Sequence, residues 1–390
     1  MTSPHIIFIN QEFLKDSTSE IVKILPSYLD YDWNNFISSV QVEYINIRSG
    51  INYSPFSNKI VDMLALRPPK YNPDFNLSFA EVTDQHLHES WKKYPDKKWL
   101  ILWSGGTDST VILASVLKNL SKEDLTKIDV ACNRISIYEN PQFFYNHIVP
   151  NFNLIDSTHL RLNHDTFDQY YVFTGELAET PVATLGGRAT QLNIDRKTLL
   201  ADWRNNADLV ISFLQARGKD NYVSKRSDAT AQWFYENIKN NINSVDVPIE
   251  TCYDFFWWSW FNNTWVDVKL RSLHYQPYQT KESIIKYLDN FIPWFGSDNY
   301  QHWSMNNNKI GVKYGDHFSD RKLALKQYIY DFNKDYHYFK YKTPLDSIGR
   351  GTMSQENKFF CLLDDFTPLY LKTNMSRIRQ LLPTYINNNL

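Results

Sequence analysis

Apolar and polar positions alternate most legibly over Lys98–Leu120, KWLILWSGGTDSTVILASVLKNL. The run Trp99-Leu100-Ile101-Leu102-Trp103 is short and bounded by turn residues, the pattern of a buried strand. After Ser104-Gly105-Gly106-Thr107-Asp108-Ser109-Thr110, the residues Val111, Ile112, Ser115, Val116 and Leu120 recur at helical spacing. The pattern predicts strand, glycine turn, helix. Upstream, His5–Asn10 and Val40–Ile47 read as strands, Asn58–Leu66 as a short helix and Arg67–Pro73 as a stiff linker. Ser78-Phe79-Ala80-Glu81 is a capping box, with Leu77 and Val82 placed as a staple, and its helix runs to Tyr94 before Pro95 ends it.

Downstream, Ile128–Ile137, Ser157–Leu162 and Tyr170–Thr174 read as further strands, and Pro141–Val149 as a helix. Strands alternating with helices predict an α/β fold, a doubly wound parallel sheet. Beyond about residue 193 the chain turns helical and aromatic: Asp228–Asn240, Cys252–Ser272, Lys281–Phe291, Asp320–Asn333 and Met375–Ile386 read as helices. The expected organisation is a small α+β portion over 1–95, then one domain over 96–390. The sheet core of that domain falls near 97–192 and its helical part near 193–390.

Composition narrows the function classes. The 390 residues carry a net charge of −2 with no block of like charges, so nucleic acid and anionic membrane are not expected partners. Cys132, Cys252 and Cys361 are scattered, without the spacing of a zinc site or a disulfide framework. With no signal-like start and no membrane-length apolar run, a reducing, cytoplasmic setting is expected. The aromatic-rich stretches Phe255–Trp265 and Trp294–Trp303 suit either a core or the wall of a bulky substrate site. His86 and His88, two apart on a helix, do not share a face for a metal.

The candidate chemistry sits at the glycine turn. A strand, two glycines and a helix start direct backbone N–H groups and a positive dipole end at one point, an anion site by construction. Ser104, Thr107, Ser109 and Thr110 add hydroxyl donors. Asp108 would repel a bare phosphate, so it calls for a cation such as Mg²⁺ between them. The lysine and Gly-Lys-Ser/Thr ending of a Walker A loop are absent. Thr174-Gly175-Glu176-Leu177-Ala178-Glu179-Thr180 forms a second constellation, with two carboxylates three apart after a strand. Both loops follow strand ends and can face one crevice.

SGGTDST resembles the PP-loop signature of the ATP pyrophosphatase superfamily. With the Thr174–Thr180 stretch after it, the chain resembles the synthetase domain of asparagine synthetases and their relatives, the β-lactam synthetases and lasso-peptide cyclases. The resemblance spans roughly Lys97–Ile348 and implies an adenine nucleotide α-hydrolase-like sheet. It implies an ATP-dependent ligase that adenylates a carboxylate and passes the acyl group to ammonia or an amine. The ATP would lie on Ser104, Gly105, Gly106, Thr107, Asp108, Ser109 and Gly175, its adenine near Arg134–Tyr138. Mg²⁺ would be held by Asp108 and Glu179, and Glu176 would serve in proton transfer.

The resemblance continues more weakly. Pro293–Asp298 and the following Tyr300–Trp303 are similar to a Pro-Phe-Leu-Asp segment, and Lys322–Lys326 to a basic helix that makes Lys326 a catalytic candidate. Lys342 falls where the family keeps a charge-stabilising lysine, which suits the chemistry because an oxyanion in a dry site needs a cation. Glu179 stands where aspartate is usual, and Leu177 where glycine is usual. No counterpart of the family's glutaminase layer is expected, since residue 2 is threonine and fewer than a hundred residues precede the first core strand. The expected partners are a small-molecule or peptide carboxylate, an amine or ammonia, and a separate protein supplying ammonia or substrate. Two alternatives stand beside this reading. One is a degenerate nucleotide-binding subunit; the other is a PP-loop enzyme acting on RNA or nucleobases.

Overall fold

A computed structural model describes residues 69–158, 160, 162, 164–176, 178, 195–215, 228–243, 245–259, 261, 289–308 and 322–342. The described residues fall into two compact units. One gathers those between Leu77 and Ala178, between Tyr278 and Ser297 and from Lys322 onward, and the other gathers the rest. The expected strands at His5–Asn10 and Val40–Ile47, the helices at Asn58–Leu66 and Met375–Ile386, and the expected domain boundary near 193 lie outside the described residues.

The first unit is built on a five-stranded, all-parallel sheet: β1 (Lys98–Leu102), β2 (Ile128–Cys132), β3 (Asn153–Asp156), β4 (Tyr170–Thr174) and β5 (Phe291–Pro293). Their order across the sheet is β3-β2-β1-β4-β5. Its helices include α1 (Phe79–Lys93), α2 (Thr107–Asn119), α3 (Arg134–Glu139), α4 (His164–Gln169), α5 (Leu323–Asn333) and α6 (Tyr336–Tyr341). A parallel sheet covered by helices reads as continuous apolar runs, and β2 is buried at all five positions. The α/β architecture is therefore present, with β1 at the centre of the sheet.

Helix α1 begins where the capping box places it. Ser78 Oγ accepts from the Glu81 N–H at 3.2 Å, and Glu81 Oε2 accepts from the Ser78 N–H at 2.8 Å. Helix α2 is buried along Thr107 and Ser109–Val116, as a helix wedged between a sheet and other helices must be. Asp84 of α1 ties three helices together, accepting from Lys118 Nζ at 2.6 Å, Asn119 Nδ2 at 2.8 Å and Tyr328 Oη at 2.5 Å. At the opposite end of the sheet from the glycine turn, buried Asp129 accepts from the Tyr170 hydroxyl at 2.7 Å and pairs with Lys98 at 3.3 Å.

Four sequence expectations are corrected. The strand expected over Ile128–Ile137 stops at Cys132, because Asn133 and Ser136 form a reciprocal cap that starts α3. The third strand is Asn153–Asp156 rather than Ser157–Leu162. It pairs with β2, and Asp156 Oδ1 then accepts from the Thr158 N–H at 2.8 Å in a turn that ends it. Phe291 closes no helix: it opens β5, an edge strand on which Pro293 is tolerated. Helix α5 starts at Leu323 rather than Asp320, since Lys322 takes a left-handed backbone, φ 59°.

The second unit holds the helices Ala207–Gln215, Asp228–Ile242 and Asp298–Asn306, with residues 252–259 also helical. Its aromatics are core. Phe213 stacks on Phe256 at 3.7 Å between ring centres, and Trp203 lies 5.1 Å from Phe255. The buried indoles also bond inward, Trp257 Nε1 to Ser304 Oγ at 3.1 Å and Trp258 Nε1 to Asn241 Oδ1 at 2.6 Å. Such satisfied indoles pack a core, and this explains the described part of Phe255–Trp265 without a substrate. Among the described residues, no helix is long and apolar enough to cross a membrane.

Candidate functional site

The chain steps outward from β1 to β3 and returns to β4 on the other side of β1, so the strand order reverses between β1 and β4. Ligands of open parallel sheets bind beyond the carboxyl ends of the strands at such a reversal. Leu102 pairs in register with Thr174, so the loops after β1 and β4 leave the sheet side by side. Ser104–Ser109 and Gly175–Glu176 are those loops.

The β1 loop is stiffened from within. Trp103 donates its backbone N–H to Ala131 at 2.8 Å and its indole N–H to Thr110 Oγ1 at 3.0 Å, and stacks 5.9 Å from Phe144. Ser109 Oγ accepts from the Ser104 N–H at 3.0 Å and lies 3.0 Å from Ser104 Oγ, which accepts from the Gly106 N–H at 3.2 Å. Thr110 Oγ1 donates to the Gly106 carbonyl at 2.7 Å. Thr110 is thus spent on holding the turn, not on offering a donor to an anion. Gly106 precedes α2 without a side-chain cap, and an uncapped start leaves its first N–H groups to water or an anion.

Two glycines let backbone close on backbone. Gly105 is left-handed, φ 77°, and a Cβ there would stand 2.1 Å from the Ser136 carbonyl oxygen and 2.8 Å from Glu139 Cβ. The loop and α3 therefore touch through Gly105. A Cβ on Gly175 would stand 2.6 Å from the Ser109 nitrogen, so the β4 loop lies directly against the start of α2. Gly175 joins the Ser104–Ser109 cluster in space, and Glu176 follows it, exposed, with its N–H bonded to Thr174 Oγ1 at 3.3 Å.

Opposite charges meet on both flanks of the loop. Lys322 Nζ donates to both oxygens of Asp108, at 2.7 and 2.5 Å, in a pair whose side chains are 17% and 25% exposed. Lys342 forms an ion pair with Glu139, and its side chain is 4% exposed against 15% for the glutamate. One helical turn before Lys342, the buried Tyr338 hydroxyl donates to the Gly105 carbonyl at 3.4 Å. Burial pushes that hydroxyl far above its ordinary value, and the charges of Glu139 and Asp108 push the same way, so it stays a neutral donor. Lys326 is buried on α5, one turn after Lys322. Cys132, at the end of β2, is pushed up to about 12 by burial and by Asp156, which removes it from nucleophilic roles.

The structure thus gathers Ser104, Gly105, Gly106, Thr107, Asp108, Ser109, Gly175 and Lys342 around one turn. Glu179, the second expected metal ligand, lies outside the described residues. Among the described residues, no three His, Cys, Asp or Glu side chains are grouped to hold a metal ion. One carboxylate completed by phosphate oxygens and water is nonetheless a donor set Mg²⁺ uses, so Asp108 fits the ion provided Lys322 turns aside. Sequence reasoning missed Glu139, Lys322 as the partner of Asp108, and Tyr338. Glu139 was hidden because Ile128–Ile137 reads as strand, and only the Asn133-x-x-Ser136 cap signals the helix that delivers it. No protein-family model, curated protein or solved structure matches the chain.

Proposed function

We propose that this chain is an ATP-dependent ligase that adenylates a carboxylate and transfers the acyl group to ammonia or an amine. The observation that carries the reading is the meeting of an uncapped glycine turn after β1 with Gly175 after β4, where the strand order reverses. The strand order, with β1 central, supports an adenine nucleotide α-hydrolase-like sheet. In this reading the pyrophosphate of ATP lies on Ser104–Ser109. The substrate carboxylate oxygen bonds to the α phosphorus as the bond to the β-phosphate oxygen breaks. The amine nitrogen then bonds to the acyl carbon, AMP leaves with the bridging oxygen, and Glu176 takes the amine proton.

Each residue has a physical task. The first N–H groups of α2 and the neutral Tyr338–Gly105 contact keep the cradle shaped for a leaving anion. Lys342 supplies a buried cation for charge growing on phosphorus and on the later oxyanion, with Lys326 as the second candidate. Mg²⁺ against Asp108, and against Glu179 by the resemblance, would neutralise charge on the departing pyrophosphate. A nucleotide-binding subunit without catalysis is the second reading, favoured by one observation: Asp108 and Lys342 are each already held by an opposite charge.

The deciding experiment is ATP–pyrophosphate exchange over a panel of amino acids and small carboxylates, with and without ammonia. At least one carboxylate should provoke exchange that Asp108→Ala abolishes. ATP binding with no exchange across the panel would favour the second reading. Exchange unaffected by Asp108→Ala would sink the proposed site.

A further inference from the structure

Resting on that reading, we propose that Tyr338 is a positioning residue that fixes which way the Gly105–Gly106 peptide faces, and so whether the glycine turn accepts an anion. The Gly106 carbonyl accepts from the Thr110 N–H at 3.1 Å and from Thr110 Oγ1 at 2.7 Å, so the peptide after Gly106 is held by α2. The peptide before Gly106 lies between two residues without side chains. Turning such a peptide over rotates ψ of its first residue and φ of its second by about half a turn, the relation between paired turn types. Gly106, at φ −73°, would then pass to positive φ, which glycine alone takes without cost.

Both ends of that peptide are gripped. Its carbonyl, on Gly105, accepts from the Tyr338 hydroxyl at 3.4 Å, and its N–H, on Gly106, donates to Ser104 Oγ at 3.2 Å. Ser104 Oγ stands 3.0 Å from Ser109 Oγ, and Ser109 is the third residue of α2. The N–H thus faces the hydroxyls gathered at the start of α2, while the carbonyl faces α6. Tyr338 is 1% exposed, and its own N–H donates to Asp335 Oδ1 at 2.9 Å, so the cap of α6 helps set where the ring stands. The tyrosine, the glycines and both helices belong to the same unit of the chain.

Orientation of this one peptide decides anion affinity. With the carbonyl turned toward α2, the negative end of a dipole enters a site made of N–H and hydroxyl donors, and an anion is repelled where it should be held. Removing the Tyr338 hydroxyl takes a donor from the carbonyl on the α6 side, whereas turning over offers it the Ser104 hydroxyl, so the turned form gains. Observed affinity then falls in proportion to the fraction of molecules still in the receptive form. A population of about one in ten corresponds to a loss of about tenfold.

The test is a double-mutant cycle between Tyr338→Phe and Gly106→Ala in the full chain. It is read by calorimetric binding of inorganic pyrophosphate with Mg²⁺ present, and by urea unfolding without either. Tyr338→Phe keeps the ring and removes the hydroxyl, whatever else that hydroxyl touches. Gly106→Ala penalises the turned peptide, and any direct effect of its methyl group on the anion cancels in the cycle. Tyr338→Phe should weaken pyrophosphate about tenfold in the wild-type background and by less than about threefold in the Gly106→Ala background. Stability should couple in the opposite sense. Tyr338→Phe should cost about 1.4 kcal/mol more with Gly106→Ala than without it, the tenfold population converted, because the turned form no longer relieves the lost bond. A hydrogen bond that only stabilises the fold would cost the same in both backgrounds. Equal costs in both backgrounds, or pyrophosphate affinity unchanged in Tyr338→Phe, overturn this inference while leaving the proposed function standing. Should Gly106→Ala by itself abolish binding, the unfolding measurements decide alone. If the wild type binds neither pyrophosphate nor ATP, the proposed function falls and takes the inference with it.

Discussion

Placing a methyl group on Gly105 tests whether the turn after β1 is built on backbone contact. In Gly105→Ala, the residue would keep φ near 77° and set its Cβ 2.1 Å from the Ser136 carbonyl oxygen. Holding a non-glycine residue left-handed costs about 1–2 kcal/mol. Forcing an extra carbon against a packed neighbour costs about 1–3 kcal/mol, and the neighbour here is a backbone carbonyl inside a capped helix. The expected loss is therefore about 2–5 kcal/mol, accompanied by a shift of α3 that carries Glu139 off the turn. Gly106→Ala is the internal control: its backbone is ordinary, φ −73°, and its nearest neighbour is a side-chain atom, the Ser104 hydroxyl at 3.1 Å, rather than backbone, so it should cost under about 1 kcal/mol. Urea unfolding followed by tryptophan fluorescence measures both. Equal stabilities for the two variants, or Gly105→Ala within about 1 kcal/mol of wild type, would refute the close packing of turn and helix.

Two further predictions follow from groups away from the turn. Burial, aided by the charge of Lys93, pushes the His86 imidazole from 6.5 down to about 4. The unfolded chain then gains a proton near pH 6.5 that the folded chain refuses until about pH 4. This contribution is complete above pH 6.5 and is lost as pH falls through that window, about 3 kcal/mol in all. His86→Leu should flatten the stability slope there relative to wild type, and identical slopes in urea titrations at stepped pH would show the reasoning wrong. Cys132, pushed up to about 12, should escape alkylation in the native protein at pH 8 and react once it is unfolded. Peptide mass spectrometry reads this directly, and rapid native labelling would contradict the burial.

What the amino-acid order determines by itself is local. The capping box at Ser78 and Glu81, the strand at Tyr170–Thr174 and the strand–turn–helix around Gly105 and Gly106 all follow from neighbours within a few residues. Hydrophobic period and turn chemistry specify such elements before any distant contact forms. The same local logic misjudged Ile128–Ile137, where one capping asparagine outweighs an apolar pattern. Only the tertiary structure decided which charges meet. Asp108 finds Lys322 across 214 residues of chain, and Glu139 finds Lys342 across 203. No spacing rule reaches that far. These pairs exist because the chain returns to the sheet after β5, bringing α5 and α6 back to the end of β1 where the turn lies.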